Sequence, residues 1–236
     1  MLRRGPATPV FETVRLEDGR VRLWDQHLLR LRRAGARGRH LTAARALVDV
    51  HRAATRGGGS VVLRIDVDPR EGVAVRARAT PPAAAWSLAL VPGYAPGEAA
   101  REEKRADRAW LVGPERAAAA AGADEPLLVA TGPDGAVDDG ARVGETARAS
   151  LFLVDATGRV RTPPVDGLLP GVTRAWALGA AGALEAPLTV ADVRAARAAF
   201  CTNAVRGVVP VREVDGRALA RDPLIGELAT AWQRLR

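Results

Sequence analysis

The sequence predicts an α+β fold in two domains, and three observations predict it. The first ninety residues alternate strand-like runs with two helical stretches. A segment rich in Pro, Gly and charge then interrupts all apolar periodicity, and a second, longer series of strands and helices follows. At 236 residues, with 47% hydrophobic and 26% charged residues, the chain is long enough to bury a core without disulfides or metal staples.

From Pro9 to Glu17 the run PVFETVRLE is rich in β-branched and aromatic residues. Asp18-Gly19 supplies a turn into RVRLW, which predicts a β-hairpin. A helix is expected from about Asp25, as its cap, to Ala36, closing near Gly38, and another from Thr42 to about Thr55. RGGGS at 56–60 lacks both the Lys-Ser/Thr of a P-loop and the spacing of a dinucleotide fingerprint, so it reads as a helix-to-strand connection. SVVLRIDV, GVAVRARA and WSLALVP then have strand character. These elements make a small N-terminal domain over 1–91.

PGYAPGEAAREEK, from Pro92, is the natural linker, over 92–103, and a larger domain is expected over 104–236. In it, Ala109–Gly122 is helical, PLLVAT is a strand, and ETARASLFLVDATGRVRTPP forms strands around a tight turn. Helices from about Val172 to Gly182 and from Val190 to Ala198 lead to a strand pair in AFCTNAVRGVVPVREVDG. A last helix runs from Pro223 to Leu235.

Composition narrows the function. One cysteine, Cys201, excludes an intramolecular disulfide and a multi-cysteine zinc site. His27, His40 and His51 have no metal-ligand spacing, and no GxSxG elbow occurs, so neither a metal site nor a serine hydrolase is expected. The start, MLRRGPATPV, has no apolar stretch behind its arginines, and no run of 18 apolar residues follows, so the expected setting is cytoplasmic, without membrane contact. The net charge of +8 invites a nucleic-acid reading, but the arginines are dispersed and aromatic residues are 4%, so no nucleic-acid partner is expected.

The sharpest feature is an asymmetry: of 35 basic residues, Lys104 is the only lysine. Arginine replaces lysine on a solvated surface at little cost. It cannot become a neutral amine, whereas a desolvated lysine can, so a sole surviving lysine is a candidate nucleophile.

Seven blocks, in order, carry a resemblance: FETVRLEDG at 11–19, HLLRL at 27–31, KRADR at 104–108, GADEPLLV at 122–129, GETARASLF at 144–152, TPPVDGLLPGVTR at 162–174 and FCTNAVRGVVPV at 200–211. Together they resemble the class IV aminotransferases, the fold-type IV pyridoxal-phosphate enzymes. These include branched-chain and D-amino-acid aminotransferases and 4-amino-4-deoxychorismate lyase. The resemblance implies a small α/β N-terminal domain, a larger domain with a mixed, barrel-like sheet, and a homodimer.

It also implies roles. Lys104 would form the Schiff base with pyridoxal 5′-phosphate and act as the base. Glu145 would pair with the pyridine nitrogen. Arg30, Val172, Thr173, Thr202 and Asn203 would hold the phosphate. The Val172–Thr173 assignment has support of its own, since Pro170-Gly171 ahead of a helical pattern leaves backbone N–H groups facing an anion. Thr13 and Arg15, on one face of the first strand, and Arg108 are expected toward the substrate. The DDGAR stretch leaves Asp138 and Asp139 as alternatives to Glu145, and Ser150 and Glu103 stand where relatives usually have Asn and often His. Asp107-Arg108 and Asn203-Ala204 lean toward the lyase, with pyruvate and 4-aminobenzoate as products. Transamination of branched-chain, D- or unusual amino acids is the alternative.

Overall fold

The computed structural model describes residues 8–132 and 135–235, which divide into two compact units. One runs to Pro82 and includes Glu103–Asp107. The other comprises Ala83–Glu102 and Arg108–Leu235.

In the first unit β1 (Val10–Glu17) turns through Asp18 and Gly19, both at positive φ, into the short β2 (Arg20–Val21). Two helices follow, α1 (Trp24–Arg33) and α2 (Gly38–Arg52), and then β3 (Ser60–Asp68) and β4 (Gly72–Ala79). The sheet order is β2-β1-β3-β4, antiparallel throughout. Alternation puts Val10, Val14 and Leu16 on one face, beside Leu63, Ile65 and Val67 of β3. Leu28 and Leu31 of α1 and Ala44 and Val48 of α2 close over them.

Helix boundaries differ from expectation. Asp25 is not the cap of α1: Leu23, in the left-handed region at φ 53°, holds that position, and Asp25 lies in the first turn, paired with Arg45 at 3.0 Å. Gly35, at φ 99°, ends that connection, which frees Gly38 to begin α2 four residues before Thr42. The glycines at 57 and 58 connect helix to strand as expected, both at positive φ.

The second unit begins with β5 (Trp86–Pro92), the run WSLALVP that pattern alone had grouped with the small domain. It lies between two parallel neighbours, which is why it reads as a continuous apolar run rather than an alternation. After α3 (Val112–Ala120) come β6 (Glu125–Val129), β7 (Arg142–Thr146), β8 (Ser150–Val154) and β9 (Val160–Thr162). Then follow α4 (Val172–Ala180), β10 (Leu184–Glu185), β11 (Leu188–Thr189), α5 (Val190–Ala195), β12 (Ala198–Asn203), β13 (Gly207–Val214), β14 (Arg217–Ala218) and α6 (Pro223–Arg234).

The mixed sheet has the order β10-β9-β8-β12-β13-β5-β6-β7-β11, with β14 on β13. Its core contains Leu151 and Leu153 of β8, Leu127 of β6, Val143 of β7 and Leu188 of β11, strands far apart in that order, so the sheet curls around one interior. On the opposite face Phe152 and Phe200 stack at 4.8 Å, and α4 and α6 meet through Trp176 and Trp232. Among the described residues no helix is long and apolar enough to cross a membrane.

Candidate active site

Lys104 belongs with the first unit, although the sequence placed it at the head of the larger domain. Phe11 N–H donates to the Lys104 carbonyl at 2.9 Å, Ala106 N–H donates to Pro9 at 2.9 Å, and Val10 bridges Arg105. One edge of β1 is fully occupied by β3, and β2 covers the other only at Leu16 and Glu17. The chain around Lys104 lines the start of that second edge, at Pro9 to Phe11.

The side chain of Lys104 is one-fifth exposed. Its Nζ lies 3.9 Å from Glu12 Oε2 and 5.1 Å from the centre of the Phe11 ring, which Arg64 also overlies at 3.9 Å. Glu12 shares its face of β1 with Val10, Val14 and Leu16, so its carboxylate is fully buried. Arg30 of α1 meets it with two parallel bonds, Nε to Oε1 and Nη2 to Oε2, both 2.7 Å, and His27 Nδ1 lies 3.0 Å from Oε2. Burial alone would raise the pKa of Glu12, but Arg30, Lys104 and His27 hold it well below the usual carboxylate range. Burial pushes His27 down against the pull of Glu12, so the imidazole is neutral and donates through Nδ1. Its buried Nε2 has no hydrogen-bond partner among the described residues.

Of the expected site residues, the two found together in this unit, Arg30 and Lys104, converge on Glu12. Thr13 and Arg15 lie on the other face of β1, where Arg15 is held by Ser60 at 2.8 Å and by Glu17.

In the second unit, Glu145 lies on β7 and its Oε1 accepts the backbone N–H of Leu169 at 3.0 Å. The next four residues form a tight turn in which Thr146 Oγ1 accepts from the N–H groups of Arg148 and Ala149 and donates to the Ala149 carbonyl. Arg108 donates to the Ala147 carbonyl of this turn, and burial lowers its pKa without depriving it of its proton at neutral pH. Asp139 pairs with Arg194 on the surface and Asp138 is exposed, so neither shares the surroundings of Glu145.

Leu169 also leads into α4. The loop before it is pinned by Tyr94, whose hydroxyl donates to the Asp166 carbonyl at 2.8 Å, and by Gly97 N–H on the Asp166 carboxylate at 2.7 Å. Gly171 is the N-cap of α4 and no side chain among the described residues caps the helix, so Val172 and Thr173 open its first turn. A methyl on Gly171 would lie 3.0 Å from the Ser150 hydroxyl, and Ser150 pairs with Thr202 of β12. Among the described residues, Thr173 Oγ1 and Thr202 Oγ1 are both buried without a hydrogen-bond partner. Asn203 is occupied differently: its Oδ1 accepts from Val205 at 3.0 Å and Arg206 at 2.8 Å, closing the β12–β13 turn.

Two orphaned hydroxyls beside an uncapped helix N-terminus fit a phosphate, which offers several acceptor oxygens and a negative charge. Sequence reasoning gave no role to Glu12, His27 or Tyr94. The signal for Glu12 was there: a carboxylate at the apolar phase of VFETVRL.

A small antiparallel sheet covered by two helices, together with a curled mixed sheet flanked by α4 and α6, is the fold of the fold-type IV transaminases. A PLP-bound hypothetical aminotransferase from Mycobacterium tuberculosis superposes with a TM-score of 0.80 at 24% identity, covering 95% of this chain and 88% of that one. A provisionally assigned 4-amino-4-deoxychorismate lyase from Legionella pneumophila gives 0.78 at 20% identity, covering 98% and 92%. The family model described as amino-transferase class IV matches residues 9–214, and the chain belongs to that family of pyridoxal-phosphate enzymes. Among curated proteins, the branched-chain-amino-acid aminotransferase of Pseudomonas aeruginosa is 34% identical over 119 residues, 47% of this chain and 36% of that enzyme's length.

Proposed function

We propose that this chain is a pyridoxal-phosphate-dependent lyase that converts 4-amino-4-deoxychorismate to 4-aminobenzoate and pyruvate, a step toward folate, with Lys104 as its reactive amine. The observation that supports cofactor use most directly is the pair of buried, partnerless hydroxyls on Thr173 and Thr202, beside the open N-terminus of α4. When bound, the cofactor supplies an aldehyde that holds the substrate amine and a protonated ring that accepts the electron pair left by proton removal.

The chain's own residues divide the remaining work. Thr173, Thr202 and the N–H groups at Val172 and Thr173 take the phosphate, with Asn203 shaping the adjoining turn; the family resemblance alone assigns Arg30 to the phosphate, and in its own unit Arg30 is held on Glu12. Glu145, oriented by Leu169 N–H, keeps a proton on the ring nitrogen. Lys104 removes the proton from the amine-bearing carbon. In the lyase reaction that loss and departure of the neighbouring enolpyruvyl oxygen aromatise the ring, and the released enol becomes pyruvate.

The lyase outcome is supported by the KRADR block, in which Arg108 lies four residues after Lys104 and is seated on the turn that follows Glu145. That guanidinium suits a carboxylate of the substrate. A second reading, branched-chain transamination, is supported by the curated aminotransferases, both matched at 33–34% identity but over only 36% of their lengths. On either reading we propose a cytoplasmic homodimer.

The test is a product assay with cofactor bound. The lyase reading expects aromatic product and pyruvate from 4-amino-4-deoxychorismate without an amino acceptor. Amino-donor-dependent conversion of a 2-oxo acid, with no aromatic product, would replace it with the aminotransferase reading.

A further inference from the structure

Glu12 is a costly residue where it stands. A carboxylate on the core face of β1 loses its hydration, and a structural link between β1 and α1 could have been made with apolar side chains. The bidentate contact with Arg30 accounts for its burial but not for the rest of its surroundings. Oε2 also carries His27 Nδ1 and faces the chain's only lysine amine at 3.9 Å. The backbone holds that lysine in place through the bond from Phe11, the residue next to Glu12.

We propose that Glu12 is a positioning residue for Lys104: through Oε2 it is the counter-ion of the lysine nitrogen, with Arg30 and His27 fixing the carboxylate that performs this task. The proposal rests on the reading of Lys104 as the residue that binds the cofactor. Among the described residues, the charged and titratable groups around the amine in its unit include Glu12 from β1, Arg30 and His27 behind it on α1, and Arg64 from β3 across the Phe11 ring. Arg30 and Arg64 are cations that disfavour a positive charge on the lysine nitrogen. His27 is neutral, so it does not add to them, and Glu12 is an anion that offsets them.

The experiment is a pH titration of the visible absorbance of the holoenzyme, compared between the wild type and Glu12→Gln. A nearby carboxylate favours the protonated nitrogen of the lysine–cofactor linkage, so its removal should move the midpoint down by about one pH unit or more. Glu12→Asp should restore part of the shift. A visible band with the same midpoint in Glu12→Gln overturns the proposal, because a purely structural Glu12 would not move it. Absence of any band in the wild type instead defeats the cofactor reading on which the proposal rests. Should the Gln variant fail to fold, the wild-type holoenzyme still decides: the Glu12 side-chain carboxyl carbon should show an NMR inflection at the midpoint of the visible titration, and a flat trace there overturns the proposal.

Discussion

The carboxylate of Glu145 is oriented by a backbone group far along the chain, the N–H of Leu169 at 3.0 Å. The loop that delivers this N–H has almost no lateral freedom. Gly167 sits at φ 68°, and a Cβ there would lie 2.4 Å from the Ala95 carbonyl oxygen. Gly167→Ala should therefore cost at least about 2 kcal/mol and weaken cofactor binding, because the backbone must move and Leu169 moves with it. Gly179→Ala, on α4 with open space around it, should be neutral or stabilise by about 0.5 kcal/mol. Thermal melts with cofactor titrations of both variants check the contrast.

The orphaned hydroxyls predict a trade of stability against binding. In the cofactor-free chain, Thr202→Val removes a buried group that has no partner, so stability should rise by about 1 kcal/mol. Cofactor affinity should fall roughly 10-fold or more, the loss of one hydrogen bond to a charged oxygen. Thr173→Val should do the same. A variant that loses stability but keeps its affinity would show that the hydroxyl serves the fold.

Two buried carboxylates give stability opposite dependences on pH. Burial pushes Glu125 up to about 7 from an ordinary 4.5, against the pull of Arg148, whose Nε donates to its Oε1 at 2.6 Å. The folded chain then holds this proton more tightly than the unfolded one. Its contribution is complete below pH 4.5 and is lost as pH rises through about 7, up to about 3 kcal/mol. Glu12, held below its ordinary value, contributes above pH 4.5 and loses that contribution as pH falls. Glu125→Gln should raise stability at pH 8.5 by about 2–3 kcal/mol and change it little at pH 5, as read by urea unfolding at the two values.

Much of this was legible because periodicity reports burial. The hairpin at Asp18-Gly19, the strands of β3 and β4 and the start of α6 lie where the pattern put them. WSLALVP was assigned to the wrong unit because an apolar run says that a strand is covered on both faces, not which sheet covers it. Lys104 was singled out by composition, yet its attachment to β1 depends on backbone bonds across more than ninety residues, which no local pattern records. Glu12 was visible as an acidic residue in an apolar phase. Its partners on α1 became apparent only once the helix was folded onto the strand.

The central claim is that Lys104 binds the cofactor, and the single lysine makes the decisive measurement clean. Borohydride reduction of the holoenzyme followed by peptide mass analysis should place one pyridoxyl adduct on the peptide containing Lys104, with loss of the visible band. Lys104→Ala should show neither band nor adduct. A visible band and a trapped adduct persisting in Lys104→Ala would contradict the account.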